Sequence, residues 1–157
     1  MSKIKIGGII QNPHLSMLCI LGIADRPGIA AETLNALGEQ HINIQFIVQL
    51  IDFERRDHLC LCVAREDLRR AIPVAEAAAQ KVGAQTVEYI EQASIVSIFG
   101  PDFRERPGIA GVMFAALASR HINILAISTS ISTVSCVIEA ANLSAAVEAL
   151  KQTFDLP

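Results

Sequence analysis

Residues 25–49 read DRPGIAAETLNALGEQHINIQFIVQ, and residues 105–129 read ERPGIAGVMFAALASRHINILAIST. Aligned without gaps, twelve of these twenty-five positions are identical, among them Arg26/Arg106, Pro27/Pro107, Gly28/Gly108, Ile29/Ile109, Ala30/Ala110, Leu37/Leu117, His41/His121, Asn43/Asn123 and Ile44/Ile124. The chain is a duplicated module, so one copy's fold predicts the other's. The likeness extends upstream, where residues 16–22 (SMLCILG) match residues 94–100 (SIVSIFG), with a connecting loop two residues longer in the second copy.

Working outward, each copy opens with a short apolar run ended by glycine, the pattern of a buried strand. Pro-Gly follows, with Pro27 and Pro107 suited to the first position of a helix, where the missing N–H would be unpaired anyway. Ala30, Leu34 and Leu37 then recur at helical spacing, as do Ala110, Phe114 and Leu117. Residues 44–51 are β-rich, and a polar hairpin over residues 52–58 leads into a second β run at 59–64. Leu68, Ile72, Ala75, Ala79 and Val82 mark a second helix that stops at Gly83, and residues 85–90 read as a closing strand. Pro73 predicts a kink or a late start in that helix. The order is βαββαβ, a ferredoxin-like α+β module with antiparallel strands and both helices on one face of the sheet.

The second copy supplies strands at 95–99, 122–128 and 134–140, a helix from Pro107, and a helix from an Asn142 cap to about Phe154. It is one strand short. An unassigned β-rich run stands at residues 3–10, and it is expected to complete the second module. The predicted domains are therefore residues 12–92, and residues 93–157 with 1–11.

With 157 residues and 52% hydrophobic content, the chain can bury a core and is not a disordered chain. Charged residues make up only 18%, mean hydropathy is +0.42, and runs such as residues 17–21 are apolar on both faces, so a homodimer is expected to cover the surplus. Net charge is −3 and the 13 Lys and Arg form no basic stripe, which argues against nucleic acid. The longest apolar runs fall far short of the roughly 20 residues that span a bilayer, and the N-terminus lacks a secretory pattern. A cytoplasmic location is expected. Cys19, Cys60, Cys62 and Cys136 lie in apolar runs without zinc-ligand spacing, which predicts buried, reduced thiols and no metal.

Chemically, the repeated feature is a strand end, an acidic residue, Arg and Pro-Gly at a helix start. Such a helix end presents unpaired N–H groups and about half a positive charge, which attracts a carboxylate. Gly28 or Gly108 lets a ligand approach the backbone, Asp25 or Glu105 can face an ammonium, and Gln49 or Thr129 can hydrogen-bond from the neighbouring strand. Those groups suit both charges of a free amino acid. His41 and His121 stand where a helix ends and are read as structural, favoured by the helix dipole; Asn43 and Asn123 occupy turn positions. No phosphate loop, activated nucleophile or catalytic carboxylate pair is recognisable, so no catalytic residues and no cofactor are expected.

The segments 25–30 (DRPGIA), 41–44 (HINI) and 46–49 (FIVQ) resemble the first ACT domain of aspartate kinases, and 106–110 (RPGIA), 122–124 (INI) and 127–130 (ISTS) are similar to the second. The resemblance covers roughly residues 12–156. It implies a non-catalytic regulatory subunit or fragment that binds threonine, lysine or both for feedback control of aspartate-family amino-acid synthesis, acting on an aspartate kinase catalytic subunit or domain. It further implies that the first ACT domain of one subunit pairs edge to edge with the second of the other, giving eight-stranded sheets. One effector site would then combine Asp25, Pro27, Gly28, Ile29, Ala30 and Gln49 with Asn123 and Ile124 of the second subunit. The other would use Arg106, Pro107, Gly108, Ile109 and Thr129 with Asn43 and Ile44. The chain departs from the family at Gln49-Leu50, where Gln-Asn is usual, and across the hairpin at residues 53–58. The alternative is a free-standing tandem ACT sensor of another small metabolite that regulates a different enzyme or transporter.

Overall fold

Each apolar run before Pro-Gly becomes a strand, and each 3.6-residue series after it becomes a helix. The computed structural model describes residues 2–101 and 103–157. They divide into two units, residues 14–92, and residues 2–13 with 93–101 and 103–157. In chain order the elements are β1 (Ile4–Lys5), β2 (Gly8–Ala24), α1 (Ile29–Glu39), β3 (Phe46–Ile51), β4 (Arg56–Ala64), α2 (Leu68–Val82), β5 (Thr86–Phe99), α3 (Ile109–Ala118), β6 (Ala126–Thr129), β7 (Thr133–Glu139), α4 (Leu143–Thr153) and β8 (Phe154–Asp155). Short 3-10 turns, Arg65–Asp67 and Ala140–Asn142, lead into α2 and α4.

Within residues 14–92 the strands lie in the order β3-β4-β2-β5. β4 is antiparallel to both β2 and β3. Side chains alternate across the sheet, so Leu18 and Ile20 of β2 join Leu59, Leu61 and Val63 of β4 in one core with Ile29, Leu37, Ala71, Ala75, Ala79 and Val82 of the helices. This is the ferredoxin-like module with both helices on one face. Ala71, Ala75 and Ala79 recur every fourth residue and let α2 lie close on the strands. Pro73 does not delay the start of α2, which runs from Leu68 through the proline to the left-handed Gly83. Pro73 lacks the N–H that would bond the Arg69 carbonyl, while Ala71 and Ala75 on either side are fully buried.

The second unit has the order β2-β5-β7-β6, with β2 contributing its residues 8–13. The N-terminal segment does complete this module. Gly7 N–H donates to the Phe99 carbonyl at 2.7 Å, and Ile6 is 2% exposed in a core with Val96, Ile98, Leu117 and Phe154. Gly7 and Gly8 pass close to Phe99, and a Cβ on either would stand 2.8 Å from its ring, so that the ring would have to shift. An unexpected parallel pair, β1 with β8, binds the two chain ends through Ile4↔Phe154 and Lys5↔Asp155.

Two expectations are corrected. First, the paired runs 3–10 and 16–22, and likewise 85–90 and 95–99, do not form separate strands: β2 is one strand of 17 residues and β5 one of 14. The two runs are joined through Asn12-Pro13-His14, where His14 has a left-handed backbone (φ 61°) inside the strand. Second, Cys19 and Cys60 are not free thiols. They are direct cross-strand partners on β2 and β4 and form a disulfide. The period of two placed each on the face opposite the core, but pairing requires register, which the period does not supply. Cys62 and Cys136 are free and buried, and burial pushes both thiols up to about 12.

The duplicated module carries a counterpart at the same place. Ser97 on β5 lies opposite Ser135 on β7, and their hydroxyls share a 2.7 Å hydrogen bond. Thiol titration of the unfolded, unreduced protein should therefore find two thiols, rising to four after reduction. Cys19→Ser with Cys60→Ser should fold to the same secondary structure and lose about 4 kcal/mol, the loop-entropy contribution of a cross-link 41 residues apart. Four thiols before reduction would contradict the pairing.

Candidate functional site

The chain leaves β2 at Ala24 and enters α1 through Asp25-Arg26-Pro27-Gly28. Gly28 is the N-cap residue with φ 94° and ψ −5°, a left-handed conformation that side chains resist. Pro27 therefore lies in the turn, two residues before the helix, and not at its first position. The first helical bond runs from Glu32 N–H to the Gly28 carbonyl at 2.9 Å. The amides of Ile29, Ala30 and Ala31 precede it, and no side chain caps them. A Cβ on Gly28 would meet nothing within 4 Å, so the glycine serves backbone conformation and leaves open space beside the helix end.

That space is a cleft of about 640 Å³, lined by residues 25–31 with Gln49, Ile51, Arg55 and Asp57. Its charged groups are mostly paired. Arg55 bridges Asp25 at 3.0 Å, and Arg26 bridges Glu32 at 3.1 Å. Asp57 differs. It is 2% exposed; its Oδ2 accepts a 2.6 Å hydrogen bond from the Gln49 side-chain amide, and its Oδ1 is buried with no partner among the described residues. A second depression of about 410 Å³ lies between α1 and α2, over Ala36, Gln40, Pro73, Val74, Ala77 and Lys81. Nothing there matches the unpartnered carboxylate.

The first set of expected site residues thus falls into two groups. Asp25, Pro27, Gly28, Ile29, Ala30 and Gln49 line one cleft, whereas Asn123 and Ile124 belong to the other unit, between α3 and β6. Ile29 is 2% exposed, so its side chain serves the core and only its backbone is left to line the cleft. Asp25, the residue expected to face an ammonium, makes an ion pair with Arg55, whose side chain is 81% exposed. Of the second set, Arg106, Pro107 and Gly108 form the exposed turn before α3, and Gly108 repeats the left-handed cap at φ 90°. Ile109 is buried in the core, Thr129 ends β6, and Asn43 and Ile44 precede β3 in the other unit. The position matching Asp57, two residues before the strand residue opposite Thr129, is Ser132. His41 and His121 act through their backbones: both are left-handed (φ 56° and 57°), and each amide bonds the carbonyl three residues earlier to close its helix.

Asp57 went unassigned because residues 52–58 read as hairpin. Its signal lay in the alternation 57-59-61-63, which puts a carboxylate in line with the core-facing Leu59, Leu61 and Val63. The hairpin tip is only residues 52–55, and Asp52 organises it. Its Oδ1 accepts the Glu54 and Arg56 amides, both at 2.9 Å. Its Oδ2 meets Arg56 Nε at 3.2 Å and His58 Nε2 at 2.9 Å. His58 Nδ1 accepts from Gly22 N–H at 3.2 Å, so a neutral ring carries its proton on Nε2 and donates to Asp52. The hydrogen bond from His58, then that from the Arg56 amide, hold the Asp52 carboxyl well below its ordinary value of 3.8. Through Gly22 the same network grips β2 where its register with β4 shifts, between Ile20 and Ile23. Among the described residues no cluster of three His, Cys, Asp or Glu could hold a metal, and no helix is long and apolar enough to cross a membrane.

Residues 18–81 and residues 96–154 each match the ACT domain family. An aspartate kinase of Pseudomonas putida is 37% identical over 151 residues, 96% of this chain but 37% of that protein. An aspartokinase of Helicobacter pylori is 30% identical over the same span and share. The chain therefore spans little more than a third of these relatives' length. Among solved structures, the regulatory subunit of aspartate kinase from Thermus thermophilus is 29% identical with a TM-score of 0.86, covering 96% of this chain and 99% of that one. Aspartate kinase from Synechocystis is 28% identical with a TM-score of 0.91, covering 97% of this chain and 28% of that one.

The Asp52 network predicts a pH dependence. A carboxyl held below its unfolded value adds stability that is full above about pH 4 and is lost as pH falls through the lower, folded value. Amide exchange at Glu54 and Arg56 should be slow at pH 7, should lose protection on acidification after correction for intrinsic rates, and should be fast already at pH 7 in Asp52→Ala, which removes the acceptor. Equal protection in the variant would show that Asp52 does not hold the hairpin.

Proposed function

The chain belongs to the ACT-domain family, as a tandem pair of the kind that forms the regulatory part of aspartate kinases, and on that premise we propose that it binds a free amino acid for feedback control. The observation that carries this reading is the cleft at the start of α1, which gathers open helix amides and two carboxylates in one place. A zwitterion needs both kinds of group. Its carboxylate sits at the amides of residues 29–31, where the helix dipole favours negative charge, and Gln49 on β3 faces its side chain. Threonine fits this first site better than lysine, because a hydroxyl is short enough for Gln49.

The site is completed by Asn123 and Ile124 of a second copy, and its pseudo-symmetric counterpart by Arg106, Pro107, Gly108, Ile109 and Thr129 with Asn43 and Ile44. Support for a homodimer comes from edge strands that expose apolar side chains: Leu50 is 65% and Ile51 44% exposed on β3, and Ile127 41% on β6. Such edges invite a further strand. In the cytoplasm the pair acts on an aspartate kinase catalytic domain or subunit, whose activity it lowers when the end product accumulates.

A thermal-shift screen of the twenty amino acids should single out threonine or lysine, with about 2.7 kcal/mol of stabilisation at a hundred times Kd. Calorimetry should then find no binding to Gly28→Val, whose side chain is driven into the cleft from a left-handed backbone. Sedimentation at roughly tens of micromolar should show a dimer, as the affinity arithmetic of a micromolar or tighter interface requires. A folded protein that binds no amino acid at millimolar concentration would end the effector reading, and a clean monomer would remove the two-chain site.

A further inference from the structure

Resting on that amino-acid reading, we propose that Asp57, and not Asp25, receives the ammonium group of the bound ligand. The cleft holds four charged side chains, Asp25, Arg26, Arg55 and Asp57. Three are already engaged with an opposite charge: Asp25 with Arg55, and Arg26 with Glu32. Among the described residues no cation is paired with Asp57. One of its oxygens is held by a neutral amide, Gln49 Nε2, and the other has no hydrogen-bond partner among the described residues although the residue is only 2% exposed. A buried carboxylate oxygen without a donor is costly, and the group that relieves it must donate hydrogen bonds. A hydroxyl donates one bond and leaves the charge uncompensated. A primary ammonium donates up to three and offsets the charge as well.

Position narrows the ligand further. Asp57 is paired in register with Ile23 on β2 and Ile51 on β3, so it stands in the middle of three strands. Its free oxygen is buried, and two other residues that line the cleft have room to move: Arg55 is 81% exposed and Gln49 is exposed on the edge strand. The same cleft carries the uncapped amides of α1, the independent anion-favouring feature. A ligand that satisfies both has an ammonium and a carboxylate a few bonds apart, as an α-amino acid does. The pairing with Gln49 adds a consequence. One N–H of the Gln49 amide is committed to Asp57, which leaves its carbonyl oxygen and second N–H for a ligand, and that oxygen accepts only from a donor such as a hydroxyl or ammonium. The second module has Ser132 at the matching position and Thr129 in place of Gln49, so it lacks the carboxylate and should not share this preference.

Calorimetry on the wild-type chain and on Asp57→Asn tests the assignment, with two probes: the amino acid that binds most tightly in the screen, and its analogue with the α-ammonium replaced by hydrogen (3-hydroxybutyrate for threonine). Asp57→Asn should weaken the amino acid roughly ten- to a hundred-fold, the size of a lost charge-assisted hydrogen bond, and should leave the analogue's weak affinity unchanged. Asp57→Ser, which installs the residue of the other module, should give the same result and replaces the first variant if that one fails to fold. Equal weakening of both probes would show that Asp57 only shapes the cleft, and unchanged binding of the amino acid would return the ammonium to Asp25. Either result overturns the proposal while the effector reading stands. Failure of every amino acid to bind the wild-type chain overturns that reading, and this assignment with it.

Discussion

A left-handed glycine at the start of the first helix of each module is the constraint on which the rest depends. At Gly28 (φ 94°) and Gly108 (φ 90°) the chain must turn from a buried strand into a helix that lies back on the same sheet. Only glycine takes that conformation without strain. The turn buries Ile29 and Ile109 at once, so that the first helical side chain anchors the helix in the core. It also leaves the first-turn amides facing open space with no side chain to cap them. Packing and ligand access thus come from one backbone torsion.

The two copies solve the same topological problem with different chemistry. Each needs a fourth strand beside its first; in residues 14–92 it follows in sequence, while in the other unit it comes from the opposite end of the chain and is seated by Gly7-Gly8 under the Phe99 ring. At one cross-strand position a disulfide in the first copy stands where a pair of serine hydroxyls bond in the second. At another, buried Asp57 stands where the second has Ser132. Differences of that kind, on a shared frame, are where two sites of one ancestry acquire separate ligands.

Much of the fold is legible in the residues. The repeat sets the number of modules, the spacing of Leu68, Ala75, Ala79 and Val82 sets α2 to within a residue, and the missing strand points to the N-terminus. What was illegible depends on register and on packing at a distance. The period of two says which face Cys19 and Cys60 occupy, yet not that they are opposite each other. Pro73 argues locally for a late helix start, yet α2 begins at Leu68 with Ala71 and Ala75 fully buried. In the site, the Pro-Gly turn announces residues 25–30 because their role lies in backbone conformation, which short sequence encodes. Asp57 stayed hidden because its character comes from burial between β2 and β3, and a hairpin full of charge masks one carboxylate that faces inward.

The central claim is that a free amino acid binds at the uncapped start of α1, between that helix end and the strand edge beside it. Amide chemical shifts on titration with the amino acids report this directly, residue by residue, for a chain of 16.9 kDa. The account predicts that the largest changes fall on Gly28, Ile29, Ala30 and Ala31, with Gln49 and Asp57. Changes confined to the depression between α1 and α2, around Ala36, Pro73 and Ala77, or no change with any amino acid, would contradict it.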